Sequence, residues 1–527
     1  MKSRFILAAI ALSLGILSCE KNMENEPVPV EQFNAVTEGA VVLGAKIDDP
    51  YAIHNMEKAY ANLKSSESVP DMEILPTHNY IRFLPKNEDE LALLKSDTAV
   101  SLFDFPLHYE ITGGTSYHDP DLPVDAITWQ YTVLPLDYVL PNIEHEILYQ
   151  VMLPEKDSNI SGNNLKTTSV FNEIEKESFR ITGNINRETD PDENITKGLF
   201  DRYRPSGKIQ VWEDECKRFV PLRQARVQAR WATHIASGYT NNNGDFAVND
   251  VFLYAVNFAI KWERDAYDIR DGLLLQAWYN QDGKSKSWHL NIRGGKSQQY
   301  AHIHLAAFHM CYENPFGIKT PKGYPNKIKI SYLHENGTYD GYYFGKELSL
   351  VGLSSIYIYG YDENGYYQKS NIVFSTTVHE LGHLSHSCKS NTHIISCAKW
   401  IRESWASAVE WKYTKNYYSQ FYQKTDYDYR NRQKWVSGFY TPVFIDLMDD
   451  FDQSDNGKCP YYPNDKIEPK HGYTLSYIEN NILTRVVGLN SLRSTLKAYK
   501  PASSSLVTDA QIDNLLILFT PANTDKH

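Results

Sequence analysis

The sequence predicts a multidomain α+β protein with three folded units in chain order: an N-terminal α+β domain, a small antiparallel β-sandwich and a C-terminal α/β domain. Three observations carry this expectation. The chain has 527 residues, too many for one ordinary hydrophobic core. Apolar residues make up 42% and charged residues 22%, the balance of a globular protein rather than a disordered one. The period of the apolar residues also changes along the chain. It is mixed at first, strictly alternating between about 205 and 270, and then passes from strand-like to helical spacing.

The N-terminal domain is placed at 41–158. Asp49-Pro50 is a helix start, and Ile53, Met56, Ala59, Tyr60 and Leu63 follow at helical spacing. Tyr80 to Leu84 reads as a strand and Asn87 to Leu94 as a short helix, while Ile127, Trp129, Tyr131 and Val133 alternate like one buried strand face. Nothing in it points to chemistry; a packing module, a cover and a partner-binding domain all remain open. Residues 159–204 are polar and read as a linker. In 205–270, Ile209 and Val211 start a strand. Ala225, Val227, Ala229 and Trp231 alternate with Gln224, Arg226, Gln228 and Arg230, and a turn at Asn241 to Gly244 precedes Phe246 and Val248. Tyr254, Val256, Phe258 and Ile260 alternate again. The run from Gly207 through Pro221-Leu222 to Gly244 and Phe246 resembles the carboxypeptidase regulatory-like (transthyretin-like) modules of bacterial surface proteins. That resemblance implies a structural spacer.

The C-terminal domain is placed at 271–527. Tyr300 to Tyr312 is helix-like and holds His302, His304 and His309. Residues 302 and 304 point to different sides of a helix and no carboxylate accompanies them at ligand spacing, so packing histidines are expected. Ile328, Ile330 and Tyr332, and then Ile356 to Tyr359, read as strands.

The chain begins with an address. Lys2 and Arg4 precede an apolar run from Phe5 to Ile16, too short for a comfortable bilayer span, and Leu17-Ser18-Cys19 closes it. This end resembles the lipobox of bacterial lipoproteins. The resemblance implies a signal peptide at 1–18, a lipid on Cys19 that attaches the protein to a membrane, and a tether over 19–40. The acidic residues after Cys19 resemble the export signal of surface-displayed Gram-negative lipoproteins, which implies an outer-membrane location in the cell envelope. Outside the cytoplasm disulfides are permitted, and Cys388 and Cys397 are close enough in sequence to clamp a loop. A net charge of −12 with no long Lys/Arg run argues against nucleic acid as a partner.

The chemistry concentrates in His379-Glu380-Leu381-Gly382-His383, an HExxH sequence behind the apolar residues Ile372, Val373, Phe374 and Val378. At 3.6 residues per turn, His379 and His383 lie one above the other, so both imidazoles can reach one zinc ion at about 2.0–2.1 Å. Glu380 lies beside that face, where a carboxylate can take the proton of a zinc-bound water. A catalytic zinc needs a third protein ligand. Ala398 to Tyr413 reads as an amphipathic helix carrying Glu403, twenty residues after His383, with Glu410 on the same face in reserve. His386 shares a face with both histidines, but seven residues of helix rise place it about 10.5 Å from His379, too far to share one ion.

HExxH followed by a helical Glu at this distance resembles the gluzincin peptidases. The resemblance implies a zincin-like domain with Zn2+ held by His379, His383 and Glu403, and Glu380 as general base toward protein or peptide substrates. It also implies a His or Tyr from a later helix as oxyanion donor: Tyr473 first, then His471, with Tyr440 an earlier candidate. One position departs from the pattern. Many gluzincins carry an acid four residues past the ligand Glu; here that residue is Ser407. A non-catalytic surface binding protein on the same scaffold, and a zinc hydrolase of a non-peptide substrate, stand as alternatives.

Overall fold

The computed structural model describes residues 39–66, 68–154, 165–185, 202–323, 325–336, 341–343, 356–425, 439–452, 466–467, 471–502 and 507–519. The signal segment, Cys19, most of the tether and Cys459 lie outside the described residues. Among the described residues no helix is long and apolar enough to cross a membrane. The architecture is mixed α and β with several sheets, in two compact units.

One unit spans 32–212 and 219–301. Its first part holds β1 (Leu43–Lys46), α1 (Ile53–Ser65), β2 (His78–Phe83), α2 (Glu88–Ser96), β3 (Tyr109–Ile111), β4 (Gln130–Pro135) and β5 (His145–Val151). Strand β2 sits between β4 and β5, antiparallel to both. Its Ile81 and Phe83 are buried against Leu91 and Leu94 of α2. Helix α2 starts where Asn87 accepts from the backbone N–H groups of Asp89 and Glu90, with three acids in its first turn.

The segment read as a linker contains a helix, α3 (Leu165–Ile181). Its Ile174 is buried with Met56 and Ala59 of α1, and Val170, Phe171 and Ile181 pack around them. Charged residues between these positions dilute the composition, so the helical stripe is visible only once α1 covers it.

The sandwich follows as β6 (Ser206–Glu213), β7 (Arg218–Pro221), β8 (Arg226–Trp231), β9 (His234–Tyr239), β10 (Asp245–Ala247) and β11 (Asn257–Lys261). The chain then passes through the hairpin β12 (Tyr267–Asp271) and β13 (Leu275–Gln276), which belongs to neither sandwich sheet, and returns with β14 (Trp278–Asn280) and β15 (Ser287–Ile292). One sheet runs β14-β11-β8-β9; the other holds β10, β6 and β15, with β7 on β6. Phe258 joins the two sheets, edge-on to Phe246 at 5.7 Å and stacked on Trp288 at 5.6 Å. The sandwich is not wholly antiparallel, because β15 pairs with β6 in parallel.

Nor is it a body apart from the N-terminal residues. Gln228, Arg230 and Lys261, which alternation assigns to a solvent face, are buried. Arg230 donates to the Leu107 carbonyl at 3.3 Å and Lys261 to the Leu102 carbonyl at 2.9 Å, while Phe103 stacks on Trp278 at 5.5 Å. Arg230 and Lys261 meet backbone oxygens of the earlier segment and Gln228 the Ser101 hydroxyl, which is why strand period alone places a boundary there.

The other unit holds 213–218 and 302–527. It begins with the second half of α4 (Gly295–Phe308), which tightens into a π-helical turn, His309–Glu313, closed by Asn314 at φ 37°. Then come β16 (Ile328–Asn336), β17 (Gly341–Tyr343) and β18 (Ile356–Tyr361). Strand β18 is parallel to β16 and antiparallel to β17. Helix α5 (Ser370–Lys389) is buried along nearly its whole length. A short helix, α6 (Asn391–Ser396), leads into α7 (Lys399–Tyr422), and α8 (Leu475–Asn481), α9 (Leu489–Ala498) and α10 (Asp509–Phe519) complete the described chain.

Candidate metal centre

Helices α5 and α7 run antiparallel and pack against each other at HExxH. A Cβ on Gly382 would stand 3.3 Å from Val409 Cβ and 3.4 Å from Ala406 Cα, so a residue without a side chain lets α7 lie flush against α5. At this separation Glu403 reaches across to both histidines. Its Oε2 lies 3.3 Å from His379 Nε2 and 3.2 Å from His383 Nε2. All three residues are fully buried, and among the described residues they are the one His/Cys/Asp/Glu group whose donor atoms converge within 4.8 Å.

The donor set fits a metal. Four ligands placed tetrahedrally at about 2.0–2.1 Å from an ion stand about 3.3 Å from one another, the separation of Glu403 from each imidazole nitrogen. On its other side, His379 Nδ1 is 2.9 Å from Glu410 Oε2. A carboxylate only accepts, so Nδ1 carries the proton and donates it, which leaves the Nε2 lone pair aimed at Glu403. Lone pair facing carboxylate oxygen is repulsive unless a cation or proton lies between. Burial disfavours the Glu403 carboxylate, and a positive charge between it and the two histidines, whether a proton on His383 and His379 or a metal ion, offsets that and holds its pKa well below the usual carboxylate value.

Glu410, the reserve third ligand in sequence, thus meets His379 on the ring nitrogen facing away from Glu403. Sequence showed it on the Glu403 face, but nothing in sequence distinguishes a ligand from the acid behind one. Glu380 is fully buried in the same helix turn. His386 turns away, its Nε2 3.0 Å from His393 Nδ1, and burial, ahead of the nearby His393, depresses its pKa well below the ordinary imidazole value. His302, His304 and His309 are buried, and His309 packs edge-on against Tyr413 and Tyr417 of α7. Cys388 and Cys397 do not form the clamp: both are free thiols, Cys388 beside Lys322 and Cys397 donating to the Val486 carbonyl.

Of the oxyanion candidates, the Tyr440 ring lies 6.1 Å from that of His379. Tyr473 is buried with its ring 6.0 Å from Tyr477, and burial, then Tyr477, pushes its phenol up to about 12. His471 is buried two residues before it. Of the three, Tyr440 is the one in ring contact with a histidine of this centre.

No protein-family model, curated protein or solved structure matches this chain.

Proposed function

We propose that the chain is a zinc metallohydrolase acting on peptide bonds, carried outside the cytoplasm on a lipid at Cys19. The observation that carries this reading is the convergence of His379, His383 and Glu403 at tetrahedral spacing one residue from Glu380. Two imidazoles and one carboxylate are a donor set that would suit zinc. Bound there, zinc supplies Lewis-acid polarisation and a water acidified toward pKa ~7.

The chain's own residues do the rest. Glu410 fixes the His379 tautomer, and Glu403 carries the negative charge that balances the ion. Glu380 takes the proton of the attacking water and passes it to the leaving amine. For the oxyanion donor we favour Tyr440, whose ring lies 6.1 Å from that of His379, ahead of Tyr473 and His471.

Digestion of a mixed peptide library tests this. Wild-type protein should cleave, a chelator should stop it, and Glu380→Gln should keep metal and fold while losing turnover about 10²–10⁴-fold. Equal inertness of zinc-loaded wild type and Glu380→Gln would replace the peptidase reading with a binding protein on the same scaffold.

A further inference from the structure

Both helices of the metal centre are capped at their far ends by one short turn from a distant part of the sequence. Residues 213–218 group with 302–527, although more than 150 residues separate that turn from α5. The Glu213 carboxylate is fully buried. Its Oε1 accepts from Ser370 Oγ at 2.8 Å, at the first residue of α5, and from Tyr418 Oη at 2.7 Å, in the last turns of α7. Its Oε2 accepts from the Cys216 backbone N–H at 2.5 Å, which holds the turn itself.

Neighbouring residues repeat the pattern. Asp214 Oδ2 accepts from the Ser370 N–H at 2.8 Å, and Ser370 Oγ receives the Asp214 N–H at 2.8 Å. These bonds form a reciprocal cap on a helix whose own N-cap residue, Lys369, provides no side-chain bond. Arg218 donates to the Tyr422 carbonyl at the C-terminus of α7 at 2.9 Å, and Lys424 pairs with Glu215 at 2.9 Å. Acids at the N-terminus of α5 and a guanidinium at the C-terminus of α7 both match the helix dipoles.

Because α5 and α7 are antiparallel, their relative slide sets which donors face each other. His379 meets Glu410 and His383 meets Glu403 only at one register, and the bonds from Ser370 and Tyr418 to the single Oε1 of Glu213 fix that same register. We infer that Glu213 is a positioning residue of the metal centre, holding α5 and α7 in the register that brings Glu403 to the two histidines. This rests on the metal reading above.

The test is zinc affinity by competition with a chromophoric chelator, read beside melting of the zinc-free protein, for wild type, Ser370→Ala, Tyr418→Phe and Glu213→Leu. A purely structural cap would lower melting and leave affinity unchanged. The proposal expects Ser370→Ala and Tyr418→Phe each to weaken zinc binding about threefold to tenfold, below the ten- to hundredfold of a direct ligand support. Glu213→Leu should weaken it further. Wild-type affinity in folded Ser370→Ala and Tyr418→Phe overturns the proposal whether or not Glu213→Leu folds. A wild type that binds no zinc removes the metal reading, and this one with it.

Discussion

His379 is held from both sides, by Glu410 at Nδ1 and by Glu403 at Nε2, and the two acids have different work. In the proposed site Glu403 belongs to the donor set and Glu410 orients a donor. Glu403→Ala should therefore abolish zinc binding, while Glu410→Ala should weaken it about 10–100-fold and leave a full equivalent bound at saturating zinc. Chelator competition on both variants separates the roles, and loss of the ion in Glu410→Ala alone would exchange them. His379, Glu380 and His383 were legible in the sequence because their relation is local, one turn of one helix. The division of labour between Glu403 and Glu410 was not. Both lie on one face of α7, and which one reaches the ion depends on how far that helix slides along α5.

The slide and separation of α5 and α7 are properties of the pair, and Gly382 controls the separation. Gly382→Ala places a methyl 3.3 Å from Val409 Cβ and 3.4 Å from Ala406 Cα, closer than relaxed packing. The helices must part by a few tenths of an ångström, at a cost of about 1–3 kcal/mol typical of overpacking. Because Glu403 reaches the histidines across this gap, zinc affinity should fall together with the melting temperature. A variant that melts lower but binds zinc as tightly would show that the site tolerates the displacement. The elements themselves were mostly legible: α1, α2, β2, β4, β6, β8 and the two metal helices follow apolar periods of 3.6 or 2. Helix α3 was missed because its apolar stripe is interrupted by Glu173, Lys176 and Glu177, and only α1 shows what the stripe is for.

At the scale of the whole molecule the chain groups into two compact units where the sequence suggested three bodies. A buried charge cluster links residues 261–270 to the N-terminal segment, where Lys95 and Glu88 supply one partner each. Lys95–Asp268, Lys261–Glu263 and Arg270–Glu88 each meet at 2.6 Å, which balances three cations against three anions. Asp104 is a fourth buried carboxylate beside them. Burial, against the pull of Lys261 and Lys95, pushes it up to about 7. The folded state thus keeps a proton that the unfolded chain releases above its ordinary carboxylate pKa, so stability falls as pH rises from about 4 to about 7. Asp104→Asn removes that slope. Its stability relative to wild type should rise by about 2–4 kcal/mol between pH 4 and pH 8 in denaturant titrations. A difference that does not change with pH would mean that Asp104 is ionised throughout.

If His379, His383 and Glu403 hold one zinc ion, crystals of the protein grown with zinc will show it. Diffraction on either side of the zinc absorption edge should give one strong anomalous peak, within about 2.0–2.2 Å of His379 Nε2, His383 Nε2 and a Glu403 oxygen. The same crystals of Glu403→Ala should lose it. A wild-type map with no peak between α5 and α7, or with the peak on Glu410 instead of Glu403, would contradict the account.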